Sequence, residues 1–386
     1  MRGVAVRRAQ ERRHRSRGGW ARRTVVGAVA VVLVPFGASV VAAGPAVADY
    51  DSSGFDFMVD SPMGAIKSRI FRAADGNTDR VVYLLDGERA QNDMNGWELH
   101  TGIPAALAKF NINVVTPVGG ESSFYADWNE PSSFFGVNPD ASMLPGRDSG
   151  SAVAGWDETS GKSNTYKWET FITQNLRNAL RDRLGFSDSR NGVFGLSSGG
   201  SAAVVLAAYH PDQFVYAGSL SGYLHSSAPG MREALRLAMI AAGGYNIDSL
   251  AAAGSPEWER LDAYNFAPTL IANNTRLYIA AGSAIPAQQD LSSVDAIIQG
   301  MPLEGIALAN SKAFQSRLQA LGYDNVTYDF PSIGVHNWGN WEQVANRILP
   351  DIAQHIGKPL PAGQQPPGGQ QPPGDGPPGG GQPPQK

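Results

Sequence analysis

Short apolar runs alternate with longer helical patterns between Phe55 and Gly357. The apolar runs are rich in β-branched and aromatic residues and are bounded by Gly, Pro, Asn or Asp, which is typical of buried strands in a parallel sheet. They are Arg80–Asp86, Ile112–Pro117, Asn191–Gly195, Arg276–Gly282 and Val326–Pro331. Helical spacing marks Tyr166–Leu184, Ser198–Tyr209, Lys312–Leu321 and Trp341–His355. The alternation predicts an α/β fold, with a mostly parallel central sheet and helices on both faces.

Two segments interrupt this alternation. Residues 129–164 are rich in Ser, Gly, Asn and Pro, and they predict a long surface insertion. Residues 223–268 are mostly helical in pattern and contain the apolar stretch Met231–Ala242. We expect this second segment to form a helical, lid-like excursion from the sheet.

Both ends of the chain differ in composition from the middle. Residues 1–23 carry nine Arg and one Glu, residues 24–43 are almost wholly apolar, and Ala46-Val47-Ala48 matches a signal-peptidase site. This order predicts a secretory signal over residues 1–48, of the twin-arginine type if Arg22-Arg23 is read that way. Of the 26 residues from Pro361 to Lys386, 23 are Pro, Gly or Gln. We therefore expect a folded domain at 49–357 and a disordered tail at 358–386.

Charge and cysteine content exclude several classes of function. The 386-residue chain has a net charge of −4, and removal of the +8 carried by residues 1–23 leaves −12, which argues against nucleic acid as a partner. The chain has no Cys, so disulfides, thiol catalysis and thiolate zinc sites are excluded. Beyond the signal, no apolar run approaches the ~20 residues needed to span a bilayer. We expect no metal and no cofactor.

The strongest local signal is the pentapeptide Gly195-Leu196-Ser197-Ser198-Gly199. It follows a short strand and opens a run of small residues with helical length. This is the setting of a nucleophile elbow, in which a serine lies on a strained strand-to-helix turn and glycines avoid collisions. An ordinary Gly/Ser-rich turn is the alternative. The context favours Ser197 as the nucleophile.

A serine nucleophile needs a general base and an acid that orients it. His336 follows the last predicted strand inside a loop, whereas His210 lies at the far end of the elbow helix, so His336 is the predicted base. Asp290 is the first carboxylate after the strand that ends at Gly282, and we predict it as the acid. Asp295 and Glu304 follow it as weaker candidates, and Asp290 has an alternative role as a helix cap.

Two backbone N–H groups are needed to stabilise the oxyanion of an acyl-transfer reaction. Ser198 follows the nucleophile and supplies the first. The second is expected from the turn after the first predicted strand, at Glu88.

With these residues placed, the sequence resembles the antigen 85 family of mycolyltransferases from about Phe55 to Gly357. Six blocks in the same order carry the resemblance: Tyr83–Trp97, Pro117–Trp128, Thr165–Phe171, Gly195–Gly222, Ala272–Leu277 and His336–Trp338. The resemblance implies an α/β-hydrolase fold. It also implies transfer of mycolic acids onto trehalose or cell-wall arabinogalactan through an acyl-serine.

The resemblance also assigns residues around the reaction centre. The family's trehalose-contacting Asp and Arg fall on Asp86 and Arg89, and its Trp beside the catalytic His falls on Trp338. A family Asn in the sugar site falls on His100, and the leucine usual at the second oxyanion amide is replaced by Glu88.

The family's acid does not transfer directly to this chain. In a gap-free alignment the family Glu falls on Gln288, which cannot carry a charge, so a loop longer by two residues makes Asp290 the replacement.

Three functions follow as hypotheses. The first is a secreted acyltransferase of the cell envelope that uses trehalose mycolates and sugar acceptors, favoured by Asp86, Arg89, Trp128 and Trp338. The second is a secreted carboxylesterase with the same serine, in which water is the acceptor. The third is a non-catalytic protein that binds the envelope or extracellular-matrix proteins, an activity that could also coexist with the first.

Overall fold

The computed structural model describes residues 51–132 and 165–358 of the chain. In these ranges one eight-stranded sheet forms the centre, with the strand order β1-β2-β4-β3-β5-β6-β7-β8. The strands are β1 Gly54–Ser61, β2 Gly64–Phe71, β3 Val81–Leu85, β4 Asn113–Pro117, β5 Asn191–Leu196, β6 Phe214–Leu220, β7 Arg276–Ala280 and β8 Val326–Asp329. The β1–β2 and β2–β4 pairs are antiparallel, and every other neighbouring pair is parallel.

Helices cover both faces of the sheet. They are α1 Gly96–His100, α2 Ile103–Lys109, α3 (residues 168–184, with a π-helical middle at Phe171–Leu176), α4 Ser197–Tyr209, α5 Met231–Gly243, α6 Ile247–Leu250, α7 Pro256–Arg260, α8 Ala263–Ala272, α9 Met301–Ala320 and α10 Trp338–His355. A 3₁₀ turn at Gln288–Ser292 and a π-helical turn at Ala296–Gly300 precede α9.

Strand β3 shows why the central strands are apolar at every position. Val81, Tyr83 and Leu85 pack with α4 and α8 on one face, and Val82 and Leu84 pack with α2 and α10 on the other. All five residues are buried. A strand covered on both faces has no polar side, and the sequence pattern reflects this.

The predicted sheet and its helices are confirmed, and the sequence pattern missed several elements. All five predicted strands are present, but β1, β2 and β6 were not predicted. The predicted helix Lys312–Leu321 is the second half of α9, which begins at Met301. Its first half was missed because Pro302 and Gly305 reduce helix propensity.

The excursion at residues 223–268 contains helices α5 to α7 and the start of α8. The predicted signal, most of the predicted insertion (residues 133–164) and all but the first residue of the predicted tail lie outside the described residues. The division into three regions therefore stays a prediction.

Candidate active site

The turn between β5 and α4 presents Ser197 in a strained conformation. Ser197 has a φ of 53°, in the left-handed region that side chains other than Gly rarely adopt. A Cβ on Gly199 would lie 2.1 Å from the backbone oxygen of Asp86, and one on Gly195 would lie 2.6 Å from the carbonyl carbon of Gly199. Glycine is therefore required at both positions, as the elbow pattern predicts.

Three side chains form a hydrogen-bonded line at this turn. His336 Nε2 lies 2.9 Å from Ser197 Oγ, and His336 Nδ1 lies 2.8 Å from Glu304 Oε2. Ser197 follows β5, and the loop with His336 follows β8, so both come from the carboxyl ends of parallel strands. Ligands and reacting groups in open α/β sheets gather at this edge. The structure thus brings together the predicted nucleophile and the predicted base.

The predicted acid, Asp290, is wrong, because Glu304 occupies its place beside His336. Asp290 Oδ2 accepts the backbone N–H of Ala287 at 2.9 Å, and its Oδ1 accepts Asn337 Nδ2 at 2.9 Å. Asp290 therefore stabilises the 3₁₀ turn at Gln288–Ser292, which is close to the capping alternative raised from the sequence. Gln288 is exposed in the same turn.

The sequence around Glu304 contains a signal that distinguishes it from the other candidate carboxylates. Glu304 lies in the first turn of α9 and is fully buried, within a short apolar stretch from Met301 to Ile306. A carboxylate in an apolar run rarely becomes buried without a partner. That argument favours Glu304 over the exposed Asp295.

The second oxygen of Glu304 is also held by hydrogen bonds. Glu304 Oε1 accepts Ser221 Oγ at 2.8 Å, the backbone N–H of Gly282, and Asn340 Nδ2 at 3.4 Å. Trp341 Nε1 donates in turn to Ser221 Oγ at 3.0 Å. A buried carboxylate needs such donors to offset its lost hydration, and here they also fix its orientation toward His336.

The turn after β3 packs directly against the nucleophile. Asp86 is buried, and its carboxylate accepts the N–H groups of Gly87 at 2.7 Å and Gly96 at 2.6 Å. Burial raises the pKa of Asp86 to about 6. A Cβ on Gly87 would lie 3.6 Å from Ser197 Cβ, so the turn that carries Glu88 adjoins the serine. The pairing of the Ser198 and Glu88 amides as an oxyanion hole stays a prediction.

The residues predicted to contact sugar are only partly brought together. His100 ends α1 and Trp338 begins α10, and the centroids of their rings lie 4.8 Å apart. Arg89 is exposed and donates from Nη2 to Gln299 Oε1 at 2.9 Å. Asp86 is occupied with backbone N–H groups, as described above. Trp128 is buried and donates from Nε1 to the carbonyl of Ser123, so it offers no exposed platform for a sugar ring.

Neither a metal cluster nor a membrane-spanning helix occurs in the ranges 51–132 and 165–358. No group of three or more His, Asp or Glu side chains is arranged there to hold a metal ion. None of the helices in the same ranges is both long and apolar enough to cross a bilayer.

Comparison with known proteins agrees with this geometry. A family model described as a putative esterase matches residues 66–352. The chain is 34% identical to the diacylglycerol acyltransferase/mycolyltransferase Ag85B of Mycolicibacterium smegmatis, over 88% of this chain and 98% of that protein. It is 36% identical to Ag85C of Mycobacterium leprae, over 72% of this chain and 75% of that protein.

Solved structures give the same result for the fold. The crystal structure of Mycobacterium tuberculosis MPT51 (FbpC1) matches with a TM-score of 0.64 at 27% identity, covering 79% of this chain and all of that one. An S-formylglutathione hydrolase from Agrobacterium tumefaciens matches with a TM-score of 0.53 at 16% identity, covering 80% of this chain and 98% of that one, which supports the fold alone.

Fold and site together define an enzyme of the esterase class with the α/β-hydrolase fold, as the resemblance implied. Within that class, the chain belongs to the antigen 85 family of mycolyltransferases. It is therefore an acyltransferase by family.

Proposed function

We propose that this protein transfers a long, mycolyl-type acyl group from a trehalose glycolipid to a sugar hydroxyl, with Ser197 carrying the acyl group between the two steps. The acceptor is trehalose or cell-wall arabinogalactan. The observation that carries the proposal is the hydrogen-bonded line from Glu304 through His336 to Ser197. The names of the relatives, which are mycolyltransferases, supply the acyl class.

In the first half of the reaction, Ser197 Oγ attacks the ester carbonyl of the donor. His336 Nε2 takes the serine proton as the new C–O bond forms, and Glu304 holds the His336 Nδ1–H and stabilises the positive imidazolium. The carbonyl oxygen becomes negative, and the N–H groups of Ser198 and Glu88 face it. One such donor contributes about 10²- to 10³-fold in rate. The donor sugar leaves as an alcohol after taking the proton from His336.

In the second half, an acceptor hydroxyl replaces the departed sugar. His336 removes its proton while the hydroxyl oxygen attacks the acyl-serine carbonyl, and the proton returns to Ser197 Oγ as the acyl group departs. Water in place of the sugar would give hydrolysis. Trp338 packs on Trp341 at 5.3 Å between ring centroids, and Trp341 packs on His336 at 4.9 Å. The ring pair of His100 and Trp338 therefore lies near the base and offers an aromatic face for a sugar acceptor.

We further propose that the enzyme works outside the cytoplasm, in the cell envelope. The basic, apolar and small-residue order of residues 1–48 supports export, and the sugar acceptors named above are envelope components.

The test uses purified protein and an acylated trehalose, with and without free labelled trehalose. We expect the labelled trehalose to acquire an acyl chain, and we expect a fluorophosphonate to modify Ser197. The Ser197→Ala substitution should abolish modification by the fluorophosphonate and lower turnover by about 10⁴-fold or more, with the far-ultraviolet circular dichroism unchanged.

The other hypotheses give different results in the same experiment. Release of free fatty acid with no transfer to trehalose would identify a carboxylesterase. If the fluorophosphonate modifies no residue and the acylated trehalose stays intact, the non-catalytic hypothesis remains, in which the protein binds envelope or matrix components. Labelling of the Ser197→Ala protein at another residue would contradict the assignment of the nucleophile.

A further inference from the structure

Glu88 lies in the turn beside Ser197, at a position where the resembled family usually has leucine. It is partly buried, and the hydroxyls of Ser122 and Ser198 flank its carboxyl group. Its Oε1 is enclosed and accepts no hydrogen bond from any residue that the structure describes. A buried oxygen without a partner is uncommon in native proteins and calls for an explanation, of which function is one.

The backbone places the turn that carries Glu88 close to the nucleophile. Gly87 adjoins Ser197, and the Glu88 carbonyl accepts the N–H of Ser122 at 2.9 Å, which fixes the turn. Ser122 itself has a φ of 54°, so the partner loop is also strained. Strain in the backbone concentrates at functional sites.

Charged and titratable groups face Glu88 from three parts of the chain. Glu121 repels its negative charge, while the neighbouring Arg89 attracts it. The third group is Tyr223, whose hydroxyl is within reach of both Ser197 and the charge of Glu88 and whose ring stacks on that of His336 with 6.2 Å between centroids.

These groups have opposite effects on the pKa of Glu88, and burial has the largest effect. Burial is the largest cause and raises the pKa of Glu88 to about 7, with the Ser122 and Ser198 hydroxyls and Arg89 lowering it and Glu121 adding to the rise. Both protonation states are therefore populated near neutral pH.

We propose that Glu88 controls the rate at which Ser197 attacks the acyl carbonyl: the neutral acid permits the attack, and the anion slows it. The inference rests on the proposed acyl transfer and adds the condition that the Glu88 side chain is neutral during the first step. The oxygen of the attacked carbonyl becomes negative beside the Glu88 amide, so an anionic Glu88 side chain would repel the charge that the site must stabilise. A carboxylic acid kept neutral by burial serves an oxyanion site in the same way in another enzyme.

The experiment measures the rate of Ser197 modification by a fluorophosphonate and by a short-chain nitrophenyl ester between pH 5.5 and 8.5. The wild type is compared with Glu88→Gln and Glu88→Leu, which remove the charge with and without a polar group. Glu233→Gln is the matched control, because it removes one carboxylate from an exposed position on α5. Circular dichroism at each pH checks that every variant is folded.

We expect the ratio of the Glu88→Gln rate to the wild-type rate to rise about tenfold between pH 6 and pH 8, because only the wild type acquires the anion. The ratio cancels the pH dependence that both proteins share. Glu88→Leu should show the same rise, and the Glu233→Gln ratio should stay flat.

A flat ratio for both Glu88 variants would overturn the proposal while leaving Ser197 labelled. Failure of Ser197 to react in the wild type at any pH would instead contradict the proposed function. A rise that also appears in Glu233→Gln would show a general charge effect and would likewise overturn the role of Glu88.

Discussion

At the scale of single residues, the site depends on a carboxylate that reaches His336 from a helix. Glu304 is fully buried, and both of its oxygens accept hydrogen bonds, one set from His336 and the other from Ser221, Gly282 and Asn340. Asp290 lies in the loop that precedes it and bonds Asn337, the neighbour of His336. The two carboxylates are therefore close in space but differ in what they can do.

We predict that Glu304→Gln lowers turnover by up to about 10⁴-fold, because an amide cannot stabilise the imidazolium and favours the wrong tautomer. Asp290→Asn, the matched control, should change turnover by less than about threefold, since the amide oxygen keeps one of the two hydrogen bonds and neither bond involves His336. Steady-state turnover of a soluble ester checks both. A severe loss in Asp290→Asn with Glu304→Gln near normal would reverse the assignment.

At the scale of elements, the elbow between β5 and α4 is the most constrained part of the fold. We predict that Gly199→Ala destabilises the protein by about 1–3 kcal/mol, because the new methyl group would have to displace the Asp86 backbone oxygen 2.1 Å away. Turnover should fall at least tenfold, since the same shift moves the turn that faces Ser197.

Gly305→Ala is the control for this substitution. Gly305 lies inside α9, and a Cβ there would find its nearest atom, on Ala284, 3.8 Å away. The change should stabilise the protein by up to about 1 kcal/mol through helix propensity. Urea unfolding of both variants gives the free energies, and a Gly199→Ala protein as stable as the wild type would contradict the strain described for the elbow.

Elements with a strong local pattern were predictable, and the carboxylate that contacts His336 was not. Ser197 and His336 could be placed because a short motif and a strand end define each position in the chain. Glu304 could not, because its role depends on the path of the chain from Gly282 to α9, which local pattern does not specify. Strand β1 escaped prediction because it mixes exposed and buried positions, and β2 because it carries Lys67 and Arg69, which are nonetheless buried.

At the scale of the whole molecule, the two ends of the parallel strands have different roles. The carboxyl ends carry the reacting groups, and the amino ends are tied to the last helix. Arg276, at the start of β7, pairs with Asp351 of α10 at 2.6 Å, and Tyr216 of β6 donates to the same carboxylate at 2.9 Å. This cluster joins two strands to α10 at the edge opposite Ser197.

We predict that Asp351→Ala lowers the free energy of unfolding by about 1–3 kcal/mol, because it leaves a partly buried guanidinium and a buried phenol without this acceptor. Turnover at 25 °C should stay within about twofold of the wild type. Asp182→Ala serves as control, since its pair with Arg181 is exposed at both side chains and should contribute little to stability. Thermal unfolding and activity assays on the same samples check whether stability and turnover change independently. A large loss of turnover in Asp351→Ala would contradict that independence.

Because Glu304 lies on a helix, only some insertions and deletions before it leave its carboxylate directed toward His336. One residue added or lost between Gly300 and Glu304 would turn the carboxylate by about 100° around the helix axis, away from His336. Length changes between Ser283 and Asp295 would leave that rotation untouched, because this stretch is a loop with one 3₁₀ turn. Natural variation in length should therefore concentrate before Asp295, and an alignment without gaps through that loop will misplace the acid in any relative whose loop differs in length.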